Sequence, residues 1–449
     1  MKIGLVSLGC PKNLVDSEVM LGLAQQAGHE LTRDAQGADV LIVNTCAFID
    51  SAKQESIDTI LEMAEHKKDG ACRRLIVTGC LAERYRDELR AQIPEIDAVL
   101  GTGEVPEIVN VLGGHARAGV APLTFHRSST AVADPPRALP TYLYDAETPR
   151  LLATPKHYAY AKIAEGCDYK CAFCIIPTLR GGYRSRPAES IVEEARRLAA
   201  GGVKELLLIS QDTTFYGIDR GERGALARLL RALNEVDGLE WIRLLYLYPT
   251  TIDDGTLAAM ADCEKVCKYI DLPLQHASNP VLQRMKRPGT RQTYDRLLTR
   301  IREKVPGVAL RTTFIVGFPG ETAADFDATL RLVDDIGFDN SFSFVYSPRP
   351  GTPAAQLADE TPAGEKLGRL QRLQARIEAQ GNAISAARLG TVQRILVEGP
   401  SHKDGTELMG RTECNRVVNL AAAGHRAGEL VDVRISEVRG HSLRGELVG

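Results

Sequence analysis

The sequence predicts an α/β chain in three parts: an N-terminal parallel α/β domain, a partial (β/α)6 barrel of the TIM type, and a small C-terminal β-barrel. Three observations carry that expectation. Over residues 1–112, short aliphatic runs alternate with helical stretches, the pattern of a parallel sheet with helical crossovers. The alternation lapses over 113–150 and resumes near 155 for six units, fewer than the eight of a closed barrel. Residues 390–449 hold only short strand-like runs broken by glycine and polar turns.

In order along the chain, "KIGLVSLG", "DVLIVNT", "RLIVTG" and "AVLG" read as strands, with helices over 14–28, 51–67, 82–91 and 104–112. The stretch 113–150, with "GGHARAGVAP" and "DPPRALP", has no period and reads as a linker. Residues 151–389 supply the strands "YAYAKIAEG", "ELLLIS", "WIRLLYLY", "KYIDLPL", "ALRTTFIVG" and "NSFSFVYS". A charged helix then places Leu367, Leu370, Leu373 and Ile377 on one face, which is expected to pack on the barrel. Residues 390–449 form the last domain, through "TVQRILVEG", "RVVNLAA" and "ELVDVRISEVRG".

The chain has 449 residues, 55 Lys and Arg against 58 Asp and Glu, and a net charge of -3, so it is not a general nucleic-acid binder. No export signal is visible at the start, and aliphatic runs such as "LLLI" are too short to span a bilayer. A soluble, cytoplasmic protein with no membrane partner is expected. Ten cysteines in a reducing compartment point to metal binding or catalysis wherever they cluster.

They cluster twice. Cys167, Cys171 and Cys174 form a C-x3-C-x2-C loop after the first barrel strand, hence at the strand end where β/α folds place their sites. Cysteine thiolates ligate iron–sulfur clusters, and a 4Fe–4S cubane held by three of them leaves one iron open. Zinc is the rival, but it needs a fourth ligand, and no His or Cys lies just beyond the loop. The second trio is dispersed. Cys10, Cys46 and Cys80 each follow an aliphatic run, so parallel strands would deliver all three to one sheet edge. Spacing alone leaves open whether they hold a second cluster. Cys263 and Cys267 read as buried helical thiols, and Cys72 and Cys414 as structural.

"EGCDYKCAFCIIP" resembles the radical S-adenosylmethionine (SAM) superfamily. By that resemblance the open iron chelates SAM, one electron cleaves it to a 5′-deoxyadenosyl radical, and Phe173 lies against the adenine. "SLGCPKNLVDSE", "GCDYKCAFCIIPTLRGGYRSRP" and "TTFIVGFPGET", with a small β domain following, resemble the methylthiotransferases over nearly the whole chain. The family layout is a methylthiotransferase domain, a radical SAM barrel and a TRAM domain. It implies two 4Fe–4S clusters and SAM, with Cys10, Cys46 and Cys80 holding the cluster for sulfur delivery, and a second SAM giving the methyl group. The motifs are closer to the branch that modifies a ribosomal protein. That branch implies an aspartate of small-subunit ribosomal protein S-twelve as substrate, a low-potential electron donor such as flavodoxin or ferredoxin, and a sulfur donor.

At the strand ends, Asp212, Gln275, His276, Arg311, Gly317 and Glu321 could face the SAM cavity, and ordinary turn structure accounts for them equally well. Arg180, Arg184 and Arg186 could neutralise a substrate carboxylate or be surface arginines. Two other functions compete. A tRNA adenosine methylthiotransferase should carry phosphate-neutralising charge, yet residues 390–449 have eight Lys or Arg and eight Asp or Glu. Their acids, such as Glu407, Glu413 and Glu437, would suit a basic protein if they share a face. A non-catalytic iron–sulfur scaffold would not need the SAM loop together with "GFPGE".

Overall fold

A strand with no polar face must be covered on both sides. The runs KIGLVS, VLIVNT and RLIVTG become β1 (Lys2–Ser7), β3 (Val40–Thr45) and β4 (Arg74–Gly79) in the computed structural model, which describes residues 1–113, 139–401 and 404–448. With β2 (Glu30–Leu31) and β5 (Ile96–Leu100) they make a parallel sheet of order β2-β1-β3-β4-β5. Its helices are α1 (Pro11–Gln26), α2 (Asp50–Asp69), α3 (Cys80–Arg84), α4 (Arg86–Gln92) and α5 (Ile108–Leu112). α1 starts three residues before the expected 14, because Pro11 fits the first turn, where no backbone donor is needed. Leu41, Val43, Leu75 and Val77 form the centre of the core with Ile60 of α2.

This compact unit contains Met1–Ala153 and also Glu165–Asp168 and Ile175–Arg184. Ile175 and the helix α6 (Ile176–Arg180) therefore belong to it, with Ile175 and Leu179 in the same core. Of the expected linker 113–150, residues 114–138 lie outside the described residues. Its far end is tied down: Arg150 pairs with Glu18 at 2.6 Å, and Ala153 N donates to Glu18 Oε1 at 2.8 Å.

The other unit comprises Thr154–Ala164, Tyr169–Cys174 and Ser185–Gly449. A two-stranded ladder of β7 (Ala164–Glu165) and β8 (Arg184–Ser185) flanks the cysteine loop. Six parallel strands make two sheets: β6 (Tyr158–Lys162), β9 (Glu205–Ile209) and β10 (Trp241–Leu244), then β11 (Tyr269–Asp271), β12 (Ala309–Val316) and β13 (Asn340–Val345). The two sheets meet at a bridge between Ile242 and Val266. Among the described residues β6 pairs with β9 and β13 with β12, each on one side only, so the ring of strands is open. The helices α7 (Ala188–Ala200), α8 (Ala225–Asn234), α9 (Asp254–Asp262), α10 (Asn279–Arg284), α11 (Arg291–Lys304) and α12 (Ala323–Ile336) fill the connections between these strands, with α10 and α11 both between β11 and β12. Thr290 and Thr322 open α11 and α12 with capping boxes, which satisfy otherwise unpaired first-turn donors.

α13 (Ala363–Ala386) packs on β13 through Leu373 and Ile377, with Arg369 also buried. Leu367, expected on that face, is exposed, and lies at the rim of the stripe that Leu373 and Ile377 bury. The last domain is a closed barrel of β14 (Val392–Pro400), β15 (Glu407–Thr412), β16 (Val417–Ala421), β17 (Leu430–Arg439) and β18 (Ser442–Leu447). The three acids singled out in the sequence are each engaged within the chain. Glu413 accepts from Lys268 N at 2.7 Å, Glu407 pairs with Arg444, and Glu437 with Arg439. Among the described residues no helix is long and apolar enough to cross a membrane.

Candidate active site

β1, β3 and β4 are neighbours and parallel, so their carboxyl ends lie along one edge. Cys10 caps α1 just past β1, Cys46 follows β3, and Cys80 opens α3 directly after β4. The glycines before two of these thiols are structural necessities. Gly9 has φ +88°, and a Cβ there would sit 2.8 Å from Cys46 Cβ. Gly79 has φ +92° and lies against Asn44 and Thr45. Both conformations are open to glycine and strained for other residues.

The three thiols act on one another. Burial pushes the Cys80 thiol up to about 12, with the negative charge of Cys10 and Cys46 adding to the rise. Cys46 is raised by burial and by Cys10. One cation opposes this: Arg180, 2% exposed, whose Nη2 lies 3.7 Å from Cys80 Sγ. The same guanidinium pairs with Asp16 at 2.8 Å and Glu165 at 3.1 Å, and donates to Asn13 Oδ1. Asn13 in turn donates to Leu8 O and Thr45 O, which ties the strand ends together.

In the cysteine loop, Cys167 N donates to Gly181 O at 3.1 Å, and Cys174 N donates to Cys171 O at 3.1 Å. Ala172 is held from both sides, its N donating to Met285 O and its O accepting from Ala354 N. Cys171 and Phe173 are buried among Val281, Met285, Ile315 and Phe318. Cys171 Sγ lies 3.8 Å from both Tyr248 Oη and Arg287 Nη1. Arg287 sits 3.9 Å over the Tyr248 ring, and Tyr169 stacks on that ring at 3.9 Å. Burial works against the charge of Arg287, but Tyr248 and Cys171 more than offset it. Neither Arg287 nor Tyr248 was legible in the spacing of the sequence, which records no contact between distant strand ends.

The other expected SAM contacts separate into groups. Asp212 lies three residues past β9, buried at the head of the turn Thr213–Phe215. Its carboxylate accepts from Thr214 N, Phe215 N and Tyr169 Oη, and burial raises it above the usual range. Gln275 has φ +74° and a buried side-chain oxygen with no partner. His276 accepts from Ser278 N and stands 3.6 Å from Glu321. Glu321 is spent on Phe318 N and Arg369, which lock the turn that begins at Gly317. Arg311 lies near the start of β12, paired with Asp271 at 2.9 Å, rather than at the strand end. Arg180, Arg184 and Arg186 are all engaged: Arg184 donates to backbone carbonyls, and Arg186 pairs with Glu194 at 2.6 Å. Cys263 and Cys267 are buried as expected, but they lie just past α9, whose helix ends at Asp262.

Among the described residues, no three His, Cys, Asp or Glu side chains stand gathered around one point as a metal site. The donor sets nonetheless suit thiolate-ligated iron: two groups of three cysteines, each with a buried guanidinium at its edge.

An open six-stranded parallel barrel with C-x3-C-x2-C after its first strand defines a radical SAM enzyme, and residues 162–333 match the radical SAM superfamily. Residues 2–101 match the uncharacterized protein family UPF0004, and 386–448 the TRAM domain. The chain is 49% identical to the ribosomal protein uS12 methylthiotransferase RimO of Pelotomaculum thermopropionicum, covering 100% of this chain and 99% of that one. It is 43% identical to the protein of the same name from Trichlorobacter lovleyi, over 100% and 98%. The chain belongs to the RimO family of radical SAM methylthiotransferases. Membership in the radical SAM superfamily brings with it an iron–sulfur cluster and SAM. In fold it resembles the radical SAM methyltransferase TsrM of Kitasatospora setae, with TM-score 0.56 and 19% identity over 79% of this chain and 75% of that one.

Proposed function

We propose that this chain attaches a methylthio group to the β-carbon of an aspartate in ribosomal protein uS12. The observation that carries the reading is the pairing of two cysteine trios on one chain, three thiols at adjacent parallel strand ends and three in one loop. On this reading Cys10, Cys46 and Cys80 hold one 4Fe–4S cluster, and Cys167, Cys171 and Cys174 hold the other. The work is divided among residues 1–112, 151–389 and 390–449.

The target hydrogen is not acidic enough for a general base near neutral pH. When bound, the loop cluster would supply the electron that splits SAM into methionine and a 5′-deoxyadenosyl radical able to take that hydrogen. The chain's own residues hold and shield. Met285 O and Ala354 N fix the backbone of the cysteine loop. Arg287 keeps a positive charge against Cys171, and Phe173 and Gln275 offer an apolar face and an acceptor to SAM. A flavodoxin or ferredoxin would supply electrons, and a separate sulfur donor the sulfur. The test is mass spectrometry of ribosomal proteins and tRNA from a deletion strain. A methylthio mass should vanish from uS12 alone. Its loss from tRNA, with uS12 unchanged, would move the chain's function to the tRNA reaction.

A further inference from the structure

Sheets guard their free edges with charge, proline or bulges, because a row of unpaired backbone groups recruits any extended chain. β13 has none of these. Its sequence NSFSFV is uncharged, and its register against β12 runs unbroken from Asn340 to Val345. Two large rings stand open on it: Phe342 is 50% exposed and Phe344 39%. Side chains two apart share a face, so both look into the bore, where Arg311 lies 4.6 Å over the Phe342 ring.

The backbone has a free side as well. Tyr346 N donates to Val316 O at 2.9 Å, and stepping back in twos gives the bonds to β12 to Phe344 and Phe342. Ser341 and Ser343 then face outward. Ser341 N, accordingly, donates to the neighbouring Asn340 side chain. Beside this edge lies a cavity of about 600 Å³, lined by Ser341 and Phe342 on one side and by Gln374 and Asn382 of α13 on another. The upper end of the strand reaches the active site: Phe344 is in register with Ile315, which packs with Cys171 and Phe173.

We propose that the free edge of β13 is where the substrate protein docks. An extended segment would add as a strand, with its backbone on Ser343, and on Ser341 once its N leaves the Asn340 side chain, and its apolar side chains on Phe342 and Phe344. The inference rests on the reading above that the substrate is a protein. The charge around the cavity agrees with it. The lining arginines Arg311, Arg411 and Arg416 are matched by Asp271, Glu398 and Asp339, and Glu378 adds a negative charge, which leaves no excess Lys or Arg for RNA phosphates among the described lining residues. Neutral amides suit a peptide backbone.

The experiment uses full-length reconstituted enzyme, with purified uS12 as probe, and reads the Kd and the KM for methylthiolation. Phe342→Ala/Phe344→Ala should weaken both by about 30-fold, as loss of a central apolar anchor does. Ser343→Pro deletes an outward donor without touching a bond to β12. It should weaken them by about tenfold, with Ser343→Ala as control for the hydroxyl. Iron content and melting curves should match the unsubstituted enzyme, since both rings are half exposed. Unchanged Kd and KM in both variants would overturn the docking edge and leave the proposed function standing. Failure of the unsubstituted enzyme to modify uS12 would overturn the function itself. Loss of tRNA binding, with uS12 binding intact, would assign the edge to RNA and overturn the proposal.

Discussion

Cys10, Cys46 and Cys80 are brought to one edge by three strands of a sheet, whereas Cys167, Cys171 and Cys174 are brought together by a single loop. The first arrangement needs the entire N-terminal sheet before any ligand is in place. It also buries two of its thiols, Cys46 and Cys80, and both are harder to ionise for it. The loop leaves Cys167 and Cys174 half-buried and needs only its own backbone bonds. A ligand set built on long-range topology is therefore more sensitive to fold damage than one built on local sequence, although both end in three thiols.

The sharpest break of that comparison is removal of a ligand from each side. Cys171→Ala should abolish 5′-deoxyadenosine formation while about four irons per chain remain. Cys46→Ala should abolish methylthio transfer and retain SAM cleavage. Both follow from about eight irons in two cubanes. Chromatography of the nucleoside product and iron assays read both, and identical losses in the two variants would erase the distinction. Next in size is Arg180→Met, which strips the cation from Asp16, Glu165 and Cys80 together. Leaving buried carboxylates unpaired costs about 3–5 kcal/mol, so melting should fall and N-terminal iron be lost first. Arg180→Lys should recover part of each. A melting curve unmoved by Arg180→Met would show that the trio does not lean on that charge.

The smallest effect separates thiols that ligate from a thiol that only packs. Cys267 is buried beside Arg243, and burial pushes it up to about 12 from an ordinary 9.0. The folded chain thus keeps a proton that the unfolded chain releases. That contribution is full below pH 9.0 and fades as pH rises toward 12. Denaturant titrations of the metal-free protein should show stability declining over this window, and Cys267→Ala should flatten the decline. An equal slope in both would remove Cys267 from the account.

The three-part fold was legible because apolar runs and glycine-rich breaks are local signals, and the loop cysteines because their spacing is itself the site. The dispersed trio is legible because Cys10, Cys46 and Cys80 each follow an aliphatic run, and parallel strands bring such ends to one edge. Arg180 was read as a surface or substrate arginine because nothing in the sequence joins it to Cys80, a hundred positions earlier. Arg311 was placed with SAM because it shares a motif with Gly317, yet a strand separates its two ends, and Arg311 starts where Gly317 finishes. Leu367 falls at the rim of the helical stripe centred on Leu373 and Ile377, and periodicity does not say how wide a stripe the neighbouring sheet covers.

The folding of Ile175–Arg184 into the N-terminal unit has a consequence for how the protein is made. A nascent chain emerges from its amino end, so Asp16 and the strand ends around Cys10, Cys46 and Cys80 exist well before Arg180 does. Until that arginine arrives, Asp16 lacks its counter-charge. The unit cannot reach its final state until synthesis has passed the cysteine loop. Biogenesis thereby places completion of the first thiol trio after the appearance of the second, and a fragment cut at residue 112 would be born without the charge that its own interior requires.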